Sequence, residues 1–205
     1  MKTMLRSGLF VVGFLAISAA AIAGGGERFA AEGTIGDKWM AGDGASFEAA
    51  GYPAHYLSTA ANVCMAIAYR IGEDGSTSDF LVLDQWNSVS EDKEPVVGFW
   101  QAFASAGAGA LSNWRFKPRP EVTDPVPTVT VATLTFGAQA NVDVHELRSH
   151  CRVENLAASI EHARSEVATR SARREDGILR QGQENRYRRE QRDTANAINR
   201  AVNGG

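Results

Sequence analysis

Hydrophobic and polar residues alternate along residues 63–71 with the period of two that a β-strand imposes. Large apolar side chains occupy one face of this run, and small residues, Cys64 among them, occupy the other. The pair Asp74-Gly75 follows, and this pair between two apolar runs is a strong hairpin signal because glycine accepts a positive φ. The pattern therefore predicts a β-hairpin whose second strand spans residues 76–83.

A helix and a third strand are predicted after this hairpin. The helix extends from about Pro95 to Ser112, and its apolar residues recur at three- and four-residue intervals on one stripe: Phe99, Phe103, Ala106 and Ala110. Residues 129–136 form a β-branched run that predicts the third strand. The expected fold class is α+β, with a small antiparallel three-stranded sheet packed on one helix and an α-helical C-terminal extension.

The expected core joins the helix to an aromatic pair that follows it. Trp114 and Phe116 alternate about Arg115, so both side chains should point to one side of the chain. We expect them to pack against Phe99 and Phe103.

Residues 1–23 have the layout of a secretory signal peptide. Basic Lys2 and Arg6 precede an apolar run from Leu9 to Ala23, which ends in the small residues of Ala21-Ile22-Ala23. This run is shorter than the roughly 20 residues that a membrane-spanning helix needs. Cleavage before Gly24 would release an exported, soluble protein; the alternative is an uncleaved N-terminus that anchors it in a membrane. Residues 24–50 show no sustained apolar period and are interpreted as a linker.

The two cysteines, Cys64 and Cys151, allow one intramolecular pairing. Export places them in an oxidising compartment, where pairing is expected. The alternative is that Cys64 is a buried thiol within an apolar strand. We predict a disulfide between the two.

Residues 141–205 are predicted to form a charged helical tail. An apolar stripe is thin in its first part, and residues 170–192 then hold eight arginines against four acidic residues. One interpretation is a solvated helix supported by ion pairs between residues four apart. The other is a basic arm that contacts anionic lipid head groups at a membrane surface, or an acidic partner.

Composition and motifs argue against catalysis and nucleic-acid binding. The net charge of −3 is unlike that of a general nucleic-acid binder. The chain has no nucleophile elbow, phosphate loop or dinucleotide fingerprint. His145, His150, Cys151 and His162 do not have the spacing of a known zinc signature. We therefore expect no enzymatic activity, no cofactor and no metal.

The order of these motifs resembles the C-terminal domain family of TonB energy transducers. The matching segments are Tyr52-Pro53, the turn sequence Tyr-Arg-Ile-Gly-Glu-Asp-Gly of residues 69–75, the alanine-rich helix, Trp-Arg-Phe-Lys-Pro of residues 114–118, and the closing β-branched strand. The resemblance covers about residues 50–137, and residues 51–138 form the expected domain.

This resemblance implies a periplasmic domain that binds an extended segment of an outer-membrane receptor, or of another envelope protein, by β-strand addition. The expected edge carries no charge from Val126 to Phe136 and has prolines only at its start. A second copy of the chain could occupy the same edge as a homodimer. The alternative function is a structural, envelope-associated protein that acts through its arginine-rich tail. The expected partner-binding residues are Val129, Thr130, Val131, Ala132, Thr133, Leu134 and Thr135.

Overall fold

A computed structural model describes residues 26–138 and 142–203 of the chain. The predicted signal peptide lies outside these residues. Within them, no helix is both long enough and apolar enough to span a membrane.

The fold is α+β, as predicted, with more strands than the sequence pattern indicated. In chain order the elements are β1 (Arg28–Phe29), β2 (Trp39–Ala41), β3 (Val63–Ile71), β4 (Thr77–Asn87), α1 (Phe99–Ser112), β5 (Phe116–Pro118), β6 (Thr128–Phe136), α2 (Val144–Ser149) and α3 (Leu156–Asn203). The main sheet has the order β1-β6-β3-β4, in which β3, β4 and β6 are the three predicted antiparallel strands. The short strand β1 runs parallel to β6, and β2 pairs with β5 in a separate ribbon.

The predicted hairpin turn joins β3 to β4. The Gly72 amide donates to the Ser76 carbonyl oxygen, and Gly75 has a φ of 76°. A Cβ at Gly75 would lie 1.8 Å from the carbonyl oxygen of Phe116. Glycine is therefore required at this position both by the backbone conformation and by the close approach of β5.

Helix α1 packs on one face of the sheet, but it begins later than predicted. Gly98, with a φ of 82°, precedes the first helical turn, so the helix starts at Phe99 rather than near Pro95. Its buried positions are four residues apart: Phe99, Phe103, Gly107 and Leu111. Ala106 and Ala110 are only partly buried because Gly107 brings the helix backbone against the sheet. A Cβ there would lie 2.6 Å from the Ile67 Cδ1 atom.

The aromatic pair packs against different neighbours from those predicted. Phe99 and Phe103 are fully buried and contact Tyr56, and Phe103 also contacts Tyr52 and Phe136. Phe116 is buried beside Tyr69 and Phe47, whereas Trp114 is only partly buried against the same two rings. The two pairs thus belong to one core, in which the rings that contact Trp114 and Phe116 include Tyr69 of β3.

The second face of the sheet is covered by α2 and the start of α3. Leu147, Leu156 and Ile160 pack with the small β3 side chains and with two valines of β6. The predicted disulfide is present: Cys64 and Cys151 are bonded, with their Cα atoms 6.0 Å apart. This part of the predicted tail is therefore built into the domain, because the small residues of β3 leave room for helices on their side of the sheet.

The remainder of α3 extends away from the domain. Among residues 156–193, Ala163 is the last that is buried, and residues 164–193 are exposed except for partly buried Gly182. At 1.5 Å per residue, a helix of 48 residues is about 72 Å long. Most of this length has no contact with the sheet.

Residues 26–50 are not a linker, contrary to the sequence interpretation. Trp39 is 3% exposed in the main core, and its indole N–H donates to the Thr128 hydroxyl at 2.9 Å. Residues 28–29 pair with β6, and Lys117 of β5 forms an ion pair with Asp43. The segment lacks a hydrophobic period because it contributes single anchors rather than a continuous amphipathic element.

Candidate functional site

The backbone N–H and C=O groups of strand β6 point alternately towards β3, here called the inner side, and away from β3, here called the outer side. Its register with β3 pairs Ala132 with Ile67 and Thr130 with Tyr69 along the inner side. On the outer side, the Val129 carbonyl accepts from the Ala30 amide at 2.9 Å, and the Thr133 amide donates to the Glu32 Oε1 atom at 2.7 Å. Because direction alternates along a strand, the N–H of Val131, midway between these residues, also points outward.

The predicted binding edge is therefore partly covered by the chain itself. Residues 26–33, here called the N-terminal segment, lie along the outer side of β6. Within this segment, Arg28 and Phe29 pair with Thr128 and Val129 in parallel orientation. The Arg28 amide donates to the Pro127 carbonyl at 2.9 Å. The sequence analysis expected residues 129–135 to form an open edge strand; in the structure β6 lies between β1 and β3, because the N-terminal segment pairs with its outer side.

The N-terminal segment is held by few contacts. Both β1 residues are exposed, and the Phe29 side chain is 47% exposed. Glu27 forms an ion pair with Arg70 at 3.2 Å between partly exposed side chains, which contributes little to stability. Beyond the segment, Trp39 fixes the chain in the core. The core contact of Trp39 is therefore separate from the pairing of the segment with β6.

The Glu32 carboxylate is the best-bound group of the segment. Its Oε1 atom accepts from the Thr133 amide at 2.7 Å and from the Arg148 Nη2 atom at 2.8 Å. Its Oε2 atom accepts from the Thr133 hydroxyl at 2.8 Å. We call these three donors, two from β6 and one from α2, the carboxylate cradle.

Tyr69 of the core lies close enough to Glu32 at this edge for the Glu32 charge to affect its pKa. Burial and, to a smaller extent, the negative charge of Glu32 raise the pKa of the Tyr69 phenol above its ordinary value. The Tyr69 phenol therefore remains protonated under physiological conditions.

The opposite edge of the sheet, formed by β4, is protected differently. Its register with β3 shifts twice, and Asp79 has a φ of 56° at the second shift. The Gln85 amide donates to the Asp84 carboxylate at 2.8 Å, and the Asn87 amide donates to the Glu91 carbonyl at 2.9 Å. Burial raises the pKa of Asp84, and the bond from Gln85 lowers it in part. Irregular pairing and charged side chains are standard defences against strand addition, so β4 is the less suitable edge.

The histidines and carboxylates do not form a metal site in the described part of the chain. No group of three or more His, Cys, Asp or Glu residues there has the proximity that a metal ion requires. His150 stacks on Trp86 with ring centroids 3.8 Å apart, and His162 lies 3.9 Å from Glu166. His145 borders the cleft beside the carboxylate cradle.

Sequence reasoning missed Glu32 and Arg148. Glu32 lies 101 positions from Thr133 and 116 from Arg148, and no motif or spacing connects positions so far apart. An uncharged strand edge at β6 was the available signal that something must cover or bind it.

Comparison with known proteins gives one structural likeness. No family model matches the chain, and no curated protein matches it. A solution NMR structure of the Pseudomonas aeruginosa TonB C-terminal domain matches with a TM-score of 0.41 and 16% sequence identity, over 55% of this chain and 97% of that chain. At this identity the likeness concerns the fold alone.

Proposed function

We propose that this protein is a non-enzymatic interaction module that captures an extended segment of an envelope protein by β-strand addition to β6. The captured segment takes the place of the N-terminal segment on the outer side of the strand. Recognition then depends mainly on backbone hydrogen bonds, which an extended peptide of any sequence can supply.

The observation that carries this proposal is the two-residue parallel pairing of β1 with β6. In this pairing, a segment of the chain itself lies along β6 in the geometry that strand addition requires. It also leaves most of the nine residues of β6 outside that pairing. The opposite edge is irregular and charged, which favours β6 as the strand that receives a partner.

The motif resemblance of residues 50–137 makes an outer-membrane receptor the expected class of partner, and the predicted signal peptide makes the periplasm the expected compartment. The buried disulfide fits an oxidising compartment as well. An intact mass that begins at Gly24 in protein from its native host would support this location. A membrane-bound chain that retains Met1 would contradict it.

Crosslinking in the native host tests strand addition. Val131→Pro removes the outward N–H, whereas Val131→Ala shortens the same buried side chain and keeps the N–H. We expect Val131→Ala to give the same crosslinked adducts as the parent and Val131→Pro to lose them at least ten-fold. Equal adduct yields from the two variants, both folded by circular dichroism, would contradict the proposal.

A second candidate function rests on the exposed part of α3. Residues 164–193 are almost entirely exposed, and eight of the residues between 170 and 192 are arginines. A helix of this kind suits a membrane surface rich in anionic lipids, since the guanidinium group binds phosphates.

Vesicle sedimentation distinguishes this candidate from a solvated helix. The full chain and a chain that stops after Val167 are mixed with vesicles of phosphatidylglycerol or of phosphatidylcholine. Membrane contact predicts sedimentation of the full chain with the anionic vesicles alone, and loss of it on truncation. Equal sedimentation of the two chains would remove this candidate.

A further inference from the structure

We infer that the carboxylate cradle is a recognition site for a carboxylate on the captured segment, and that Glu32 occupies it in the free protein as an internal stand-in. This inference rests on the proposed function. It adds side-chain specificity to an edge that would otherwise bind extended peptides through their backbone alone.

The cradle has the donors that a carboxylate needs. A backbone N–H, a hydroxyl and a guanidinium group converge on the two oxygens of Glu32, all within 2.7–2.8 Å. Hydrogen bonds to an ionised acceptor are stronger than those between neutral groups. Thr133 is 6% exposed, so its donors have little access to water once the segment is in place.

The cradle also opens into a cleft with room for a larger ligand. The cleft has a volume of about 590 Å³ and lies between the N-terminal segment, β6 and the region from α2 to Glu154. Its lining includes Arg148, Arg152, Glu32 and Glu154 together with the imidazole of His145. When Glu32 leaves, the two arginines face one remaining carboxylate, which favours an incoming anion.

Displacement of the segment without replacement of its carboxylate is unfavourable. Such a displacement would leave the Thr133 amide and hydroxyl without their acceptor at the strand edge. Donors left without an acceptor reduce the affinity for the incoming segment. An extended segment that brings its own carboxylate avoids this cost. The cradle therefore discriminates between acidic and neutral segments.

The pairing of β1 with β6 predicts at which position a captured segment carries the carboxylate. Phe29 pairs with Val129, and Glu32 follows three residues later, in a turn in which the Thr34 amide donates to the Ala31 carbonyl at 3.0 Å. A captured segment that pairs in parallel and turns away from β6 in the same way should therefore carry Asp or Glu, or end in a free carboxylate, three residues after the residue that pairs with Val129.

Peptide titration tests this inference. The receiving protein is the full mature chain with Ala30→Pro and Glu32→Ala, which removes one edge hydrogen bond and empties the cradle. The probes are amidated peptides that copy residues 26–36, with Glu or with Gln at the position of Glu32, and a peptide that ends at that position with a free C-terminal carboxylate on alanine. Binding is measured by calorimetry and by the NMR shifts of the Thr133 amide.

We expect the Glu peptide to bind at least ten-fold more tightly than the Gln peptide and to shift the Thr133 amide. Arg148→Gln in the receiving protein should reduce this difference to less than three-fold. Binding of the C-terminal carboxylate peptide as tight as that of the Glu peptide would identify the chain terminus as an equally good source.

The outcomes separate the two proposals. Equal binding of the Glu and Gln peptides, with shifts along β6, would overturn the carboxylate site and leave strand addition intact. Absence of binding by all the peptides to a folded receiving protein would contradict strand addition at this edge, and the carboxylate site with it.

Discussion

Ala132→Pro should unfold the protein, whereas Val131→Pro, one residue earlier, should leave it folded. Ala132 pairs with Ile67 on the inner side of β6, so proline there removes a donor from the central ladder and places a ring between two strands. We expect a loss of at least about 3 kcal/mol, a large part of the stability of a small domain. Thermal unfolding followed by circular dichroism measures the difference.

The neighbouring position gives the control. The Val131 N–H points outward, and its side chain is 3% exposed in the apolar layer beneath α2. Val131→Pro should therefore lose some packing but retain a cooperative transition, and Val131→Ala should report that packing loss separately. If Ala132→Pro melts cooperatively near the parent temperature, the inner ladder does not depend on this N–H and our assignment of inner and outer groups is wrong.

Removal of the disulfide should have a comparable effect. Cys64 and Cys151 are separated by 87 positions, and a crosslink over such a loop restricts the unfolded chain by about 4–5 kcal/mol on the chain-entropy account. Both residues are fully buried, so the double variant Cys64→Ala and Cys151→Ala also loses sulfur contacts between β3 and the end of α2. We expect the free energy of unfolding in urea to fall by this amount.

The loss should be accompanied by local changes on one side of the sheet. Amides of α2 should exchange faster with solvent in the double variant, while those of α1 should change less, because α1 packs on the opposite face. A loss below about 1 kcal/mol, with α2 still protected, would mean that the apolar contacts of Leu147 and Leu156 hold this layer without the crosslink.

Local patterns were sufficient to predict the three antiparallel strands of the main sheet. The alternation of residues 63–71, the turn at Asp74-Gly75 and the β-branched run of residues 129–136 each depend on neighbours within a few positions. The disulfide could be predicted because two cysteines allow one pairing and the predicted export favours it. The buried stripe of α1 was predicted only in part, since the close approach at Gly107 depends on Ile67 and Leu134 of the sheet.

Long-range single contacts could not be predicted. Trp39 enters the core, and Glu32 binds the edge of β6, from a stretch without any periodic pattern. Likewise, the sequence did not show which elements cover the second face of the sheet. The β3 residues on that face are small, and a run of small residues does not indicate that helices pack on it. These contacts form the candidate site. The sequence pattern therefore predicted strand β6, but it did not predict that Glu32 binds to it.

Under the proposed function, a partner segment replaces residues 28–32 on the outer side of β6. Phe29 and Val129 are direct neighbours in the register, so Phe29→Cys with Val129→Cys can tether the N-terminal segment to the strand. The control is the pair Phe29→Ala with Val129→Ala, and peptide mapping under non-reducing conditions verifies both disulfides in the tethered chain. We predict that the control forms envelope adducts on crosslinking in the native host and that the tethered chain forms none; adducts of equal yield from the two chains would contradict the account.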